Sequence, residues 1–469
     1  MPASRRQFLR SSSAFGALAL FGQRAQGEQS GEQSGEQGGE AAGEATLESA
    51  GGFGPLRPVA DETTGLELIE LPEGFRYLTF GWTRDEMADG RKTPGTHDGM
   101  AVVKEEDGII TLVRNHERDG VGEPIAAPKS SYDPVARGGC VTLRFDANDG
   151  RWIDSRVSLS GTVRNCAGGR TPWGTWLSCE ETVLGPGSQY KGKTYELERD
   201  HGFVFEVPAD GLSAAEPILD MGRFWHEAVA VDPKTNLVYL TEDRSTAGLY
   251  RFTPNTPEKL VDGGRLEMLA VDGRTDLRRG LAAGDTFDVR WVPIEDPTRP
   301  HSPGSSDTLG VFMQGQQQGG AIFGRLEGCD YRDDRIFVTA TIGGDRQAGQ
   351  VWSYDPREER ITLLFESPGS DVLDMPDNLC VSPRGGLILC EDGYHVPQRV
   401  HALTEAGQLF PLLRSNVVLQ GERNNIRGDF RADEWAGATF SSDGTWLFVN
   451  NQTPGFSIAI TGPWQDGLV

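Results

Sequence analysis

The stretch GRFWHEAVAVDPKTNLVYLTED, residues 222–243, sets two short apolar runs around an Asp-Pro-Lys-Thr-Asn turn, with an acidic residue near each outer end. Two alternating runs around a turn are the signature of a β-hairpin. Working outward, the same plan recurs in PDNLCVSPRGGLILCED (376–392), WAGATFSSDGTWLFVNNQ (435–452), RNCAGGRTPWGTWLSCEE (164–181), HDGMAVVKEEDGIITLVRNHE (97–117) and RLEGCDYRDDRIFVTATIG (325–343). Several units are followed by further strand-like runs, among them GLYRFTP (248–254), QVWSYDP (350–356), ITLLFES (361–367) and RVHALTEAGQLFPLL (399–413). Four short strands per unit, six times over, is the plan of an all-β, six-bladed β-propeller. A β-sandwich does not require one hairpin six times. The propeller is expected to span residues 53–469. An insertion is read at 257–324, where the rhythm breaks and TLGVFMQGQQQGGAIFG (308–324) is compatible with a helix.

In a propeller the first strand of each unit lines the central channel, so equivalent positions form a ring. Aligning the hairpins puts Asp98, Cys166, Glu227, Glu327, Asp377 and Ala436 at the start of that strand. The second strand ends in Glu180–Glu181, Glu242–Asp243 and Glu391–Asp392, with Asn115 or His116 and Asn451 in matching places. Carboxylates packed around one axis repel unless cations sit among them. Oxygen ligands suit calcium, and a thiolate points to a transition metal beside it. The metal-ligand candidates are Asp98, Cys166, Glu180, Glu181, Glu227, Glu242, Glu327, Asp377 and Glu391. Cys179, Cys329, Cys380 and Cys390 lie inside or beside apolar runs and read as core. Arg325 stands two residues before Glu327, on the same face of an extended strand, where it serves either as an ion-pair partner or as a fork for an anion.

The chain of 469 residues carries a net charge of −24, which excludes nucleic acid and anionic membrane surfaces as natural partners. A small anionic substrate remains open where metals or a local arginine reverse the field. The six cysteines form no C-x-x-C pair. No P-loop, zincin or nucleophile-elbow motif occurs. At the N-terminus SRRQFLR (4–10) precedes the short apolar run SSSAFGALALFG, the pattern of a twin-arginine export signal at 1–27. The twin-arginine translocase is then a partner during export, and the run is too short for stable membrane insertion of the mature protein. GEQSGEQSGEQGGE, within 28–52, buries nothing and reads as a disordered linker.

NCAGGRTPWGTWLSCEE, WHEAVAVDP, GRLEG and RNHE, behind a twin-arginine leader, together resemble the PhoX-type alkaline phosphatase family. The resemblance covers residues 65–451, in a form shorter than the family's long members. It implies a six-bladed propeller with an iron–calcium cluster at its centre, acting on small phosphorylated substrates in the periplasm or outside the cell. Carried over residue by residue, it implies that Cys166, Glu181, Glu227 and Glu327 hold metals, and that Arg325 and Asn115 face the substrate phosphate. The expected activity is metal-dependent hydrolysis of phosphate monoesters for phosphate acquisition, without a Ser or Thr nucleophile. Two other readings stand beside it: a calcium-dependent lactonase or esterase propeller, and a non-catalytic metal-binding propeller.

Overall fold

Each of the six apolar pairs folds as an antiparallel hairpin. They are His97–Glu106 with Ile109–His116, Asn165–Arg170 with Thr175–Glu180, His226–Val231 with Val238–Glu242, Leu326–Arg332 with Arg335–Ala340, Pro376–Val381 with Leu387–Glu391, and Trp435–Phe440 with Leu447–Asn451. They are called here the first to sixth hairpins, each with an inner and a second strand. The computed structural model describes residues 52–465 and 468–469. The expected export signal and all but the last residue of the expected linker lie outside the described residues.

The runs are nearly continuous in apolar residues because both faces of each sheet are covered. In the third hairpin, Val229 and Val231 join a core with Cys166, Leu177 and Tyr250, while their neighbours Ala228 and Ala230 join another with Leu326, Ile336 and Trp352. Successive side chains on a strand point to opposite faces, so one strand serves two cores. The inner strands pack in chain order, first on second through to fifth on sixth, and the sixth returns to pack on the first. The result is an all-β, propeller-like fold.

The expectation of six alike four-stranded units is corrected at the level of hydrogen-bonded sheets. Among the described residues there are five sheets of three or more strands. The sheets of the third and fourth hairpins are fused into one of nine strands, because Thr286–Pro293 pairs with Gly264–Val271 on one side and Arg360–Glu366 on the other. The second hairpin gains only Val204–Pro208, and so makes a three-stranded sheet. The insertion read at 257–324 is also redrawn: Gly264–Val271 pairs with Leu249–Pro254 as the fourth strand of the third hairpin's sheet. A helix, Gly310–Gln316, does form in this segment, and it packs near Met268 of that strand. Among the described residues no helix is long and apolar enough to cross a membrane.

The two ends of the described chain meet in one sheet. Arg76–Phe80 pairs with Phe456–Thr461, completing a four-stranded sheet with the sixth hairpin. Arg57–Val59 and Ile69–Leu71 extend the outer edge of the fifth.

Candidate metal centre

The inner strands carry a recurring irregularity. In each of the first five hairpins the register slips just past the first residue pair: between His97 and Met100, Asn165 and Gly168, His226 and Val229, Leu326 and Cys329, Pro376 and Leu379. The slipped segment of these five holds Asp98, Cys166, Glu227, Glu327 and Asp377 respectively. A bulge bends its strand and re-aims a side chain, and here it is built into the place that aims five chemically active residues at one axis. The sixth hairpin has its slip one residue later, between Ala436 and Thr439, so that Ala436 stays in register opposite Asn450 and carries no donor.

Four of these side chains meet others from the strand ends in three overlapping groups of buried ligand atoms, each within 4.8 Å of one another. Cys166, Glu181 and Glu227 form the first, Glu227, Glu327 and Asp377 the second, and Asp377, Asp392 and Glu434 the third. Because neighbouring groups share Glu227 and Asp377, the seven residues make one chain of donors. Asp98 stands at its side: Gln452 Nε2 donates to Asp98 Oδ2 at 3.4 Å, to Glu117 Oε2 at 3.0 Å and to Glu434 Oε2 at 2.9 Å. The Cys166 thiol points at the His226 carbonyl, 3.2 Å away, and its pKa is pushed well up by burial, then by the charges of Glu227, Glu181 and Asp98. One thiol and six carboxylates, all buried, fit cations far better than they fit one another: oxygen donors for calcium, and sulfur for a transition metal.

Three expected ligands do not reach this chain. Glu180 accepts from Val163, Gly202 and Phe203 backbone N–H groups and lies 2.6 Å from His201 Nδ1. Burial alone would lower the His201 pKa, but Glu180 and Asp133 push it up to about 9. Glu242 accepts from Gly248 N–H and Tyr250 O–H, and burial pushes its pKa up to about 7. Glu391 accepts from Asp374 N–H and Arg399, and contacts His401 at 3.0 Å. Burial opposes its ionisation, yet His401 and Arg399 bring its pKa down to about 2. The reason is parity. In each acidic pair the first member points into the sheet stack and the second to the other side, where Glu181 and Asp392 join the donor chain and Asp243 binds Arg325 at the cavity.

Asn115 likewise does not face the cavity. It is fully buried, donates to the Cys166 and Ala167 carbonyls at 3.1 and 2.7 Å, and accepts from Trp176, Ser178 and Cys140. It belongs to a repeated brace. Thr241 donates to the Glu327 carbonyl, Thr339 to that of Asp377 and Asn450 to that of Asp98, each at 2.6 Å. In each case a second strand fixes the backbone of a channel residue on the next inner strand. Glu434, missed in the sequence, precedes the sixth hairpin by one residue, an offset that carries a carboxylate in no other unit. All six cysteines are buried and unpaired by disulfides.

Arg325 adopts a left-handed backbone (φ 51°) immediately before its strand. Its Nε and Nη2 form a fork on Asp243 at 2.7 and 3.0 Å, and Nη2 also reaches Glu327. Arg164 holds the equivalent place in the second hairpin, at φ 52°. Both arginines line a cavity of about 860 Å³ that also touches Glu181, Asp243, Glu117 and Gln452, so it meets the donor chain directly at Glu181 and abuts it through Arg325, bound to Glu327, and Gln452, bound to Glu434. Arg164 sits over the rings of Tyr190 and Trp225, at 5.4 and 5.6 Å.

A protein-family model described as alkaline phosphatase PhoX matches residues 51–158 and 153–455. No curated protein matches the chain. Among solved structures it is similar to a gluconolactonase from Xanthomonas campestris, at 12% identity and a TM-score of 0.42, covering 87% of this chain and 98% of that one. It is also similar to the WD40 β-propeller domain of Doa1, at 9% identity and a TM-score of 0.39, covering 82% and 96%.

Proposed function

The chain belongs to the PhoX alkaline phosphatase family, and from that premise we propose that it is an exported, metal-dependent phosphatase acting on phosphate monoesters from a six-bladed propeller. The observation that carries the reading is the buried chain of donors from Cys166 to Glu434, which meets a cavity walled by arginines at Glu181. Family membership supports the phosphatase chemistry, and the cyclic order of six inner strands supports the blade count. The export signal at 1–27 supports a periplasmic or secreted location.

Cys166, Glu181 and Glu227 would hold a transition metal, iron in this reading, and the two carboxylate groups would hold calcium. Bound there, the metals would supply Lewis acidity for hydrolysis of a phosphate ester. The remaining work falls to the chain itself. Arg325 is pinned by Asp243 and Glu327, so its charge meets the equatorial phosphate oxygens without reorganising, which is where fixed charge is worth most. The braces from Asn115, Thr241, Thr339 and Asn450 hold the ligand-bearing backbone still. Burial of the donor chain beneath the cavity keeps bulk water from screening these charges.

Metal content and p-nitrophenyl phosphate hydrolysis, measured side by side, test the proposal. Glu227→Gln keeps the shape but removes an anionic donor shared by two groups, so metal and activity should fall together. Arg325→Lys keeps the charge but loses the planar fork, so metal should stay while turnover drops on the order of tenfold to a thousandfold. A metal-loaded, unmutated chain that hydrolyses no phosphate ester would overturn the enzymatic reading.

A further inference from the structure

The cavity above the donor chain carries more positive charge than one phosphate group calls for. Eight of its lining residues are Lys or Arg and four are Asp or Glu, in a chain whose net charge is −24. Four of the cations come from adjoining segments. Arg118 follows the first hairpin, and its carbonyl accepts from the N–H of Arg164, which opens the second (3.1 Å). Lys191 sits at the turn of a small ribbon, Ser188–Tyr190 with Lys193–Tyr195, and Arg137 lies in the connection leading to Gly138–Asp146.

These cations are held close enough to repel. Burial brings the pKa of Arg118 down to about 10, with Arg137 adding to the effect. Partial desolvation beside the Tyr190 ring, in a side chain that is otherwise exposed, brings that of Lys191 down to about 8, with Arg164 adding to it. Aromatic rings hold the second pair in place: Tyr190 carries Arg164 at 5.4 Å and Lys191 at 5.5 Å over its ring, and packs edge-on against Trp225 at 6.1 Å. Asp119, 3.6 Å from Arg164, tempers the cluster together with Glu181 and Glu117, which favour the charged form of Arg164. Like charges fixed side by side gain most from a multivalent anion set between them, and guanidinium forks match phosphate oxygens two at a time. The volume is ample for a ligand with two charged ends.

We propose that Arg118, Arg137 and Lys191, grouped around Arg164, form a second anion subsite, so that the preferred substrates are esters bearing a second phosphate. This rests on the phosphatase reading above, and it adds a substrate class that the donor chain alone does not select.

The test compares kcat/KM for fructose 1,6-bisphosphate and fructose 6-phosphate on the metal-loaded full chain. Alongside it, calorimetry measures binding of inorganic pyrophosphate and of phosphate. The bisphosphate and the pyrophosphate should each be favoured on the order of tenfold, about the worth of one charge-assisted contact. Both preferences should collapse toward unity in the Arg118→Gln/Arg137→Gln double variant, and shrink in Lys191→Gln, whose side chain is exposed and whose fold is therefore safe. Hydrolysis without preference in the unmutated chain would overturn the subsite and leave the phosphatase reading standing. No hydrolysis at all would remove the phosphatase reading, and the binding ratio would then decide alone: a pyrophosphate preference lost in the variants supports the subsite, and equal binding overturns it.

Discussion

At the scale of single residues, legibility was decided by parity. The repeat located every acidic pair at a strand end, because composition and spacing survive in the sequence. Which member faces the axis depends on where the strand stops and the bulge begins, and that is set by hydrogen-bond register between strands far apart in the chain. Hence Glu180, Glu242 and Glu391 were expected in a ring that their neighbours Glu181, Asp243 and Asp392 line or flank. Asn115 teaches the same lesson with a measurable consequence. Its side chain serves two carbonyls and three donors, all buried. Asn115→Ala should therefore cost roughly 2–4 kcal/mol in urea unfolding, through unsatisfied buried groups, and weaken metal retention at Cys166. Once the variant is loaded, KM for a phosphate ester should be unchanged; a raised KM with full metal would restore Asn115 to the phosphate. His201 yields a second test. Its folded pKa, about 9, lies above the ordinary 6.5, so its stabilising contribution is full below pH 6.5 and disappears as pH rises through 9. The shift corresponds to about 3 kcal/mol, and urea midpoints at pH 6 and pH 9.5 should converge in His201→Gln. A pH dependence identical to that of the unmutated chain would mean that His201 does not carry this charge in the folded state.

At the scale of elements, period-two alternation was enough to find six hairpins, but not the bulges within them. Bulges leave the hydrophobic pattern almost intact. They show themselves in the sequence only through small residues, and then only once their neighbours are known. Gly99 follows Asp98 and Gly328 follows Glu327. A Cβ at Gly99 would meet Ala167 Cα at 2.5 Å, and one at Gly328 would meet Leu379 N at 2.5 Å, in both cases backbone of the next inner strand. Neither residue has a positive φ in the structure, so the demand is closeness rather than conformational freedom. The spacing of the donor chain depends on that closeness, since Glu327 and Asp377 share a group across the same gap. Gly328→Ala should force the fourth and fifth inner strands apart, at a cost of roughly 1–3 kcal/mol of overpacking. The loss of metal should exceed that of a surface substitution of equal destabilisation. If metal affinity followed global stability alone, the close approach would have no bearing on the site.

At the scale of the whole molecule, the sequence showed a repeat but hid how the circle shuts. The closing strand, Arg76–Phe80, lies hundreds of residues from its partner Phe456–Thr461, and no local pattern joins them. The junction is nevertheless a core in its own right. Leu68, Ile69, Leu71, Phe75 and Tyr77 pack in one cluster with Phe456, Ile458 and Ile460, nearly all at full burial. Tyr77 ties the segment further: its hydroxyl accepts from Leu68 N–H at 2.9 Å and lies 3.1 Å from the Val59 and Leu66 carbonyls. Without this segment Phe456–Thr461 becomes an exposed, apolar edge strand, the kind that recruits other chains. The sixth inner strand would also lose the sheet that presses it against the first. Asp98 and Glu434 belong to those two strands and their approach, so the opening would reach the donor chain. Deleting residues 52–80 should convert a single cooperative unfolding transition into a broad one, raise dye binding to exposed apolar surface, and shift the protein to aggregates in size-exclusion chromatography. Metal content should fall in the same preparation, because a chain of donors drawn from four hairpins and from the approach to the sixth requires the ring to be closed. A truncated chain that stayed monomeric, unfolded in one step at the original midpoint and kept its metals would show instead that the inner strands close the circle unaided.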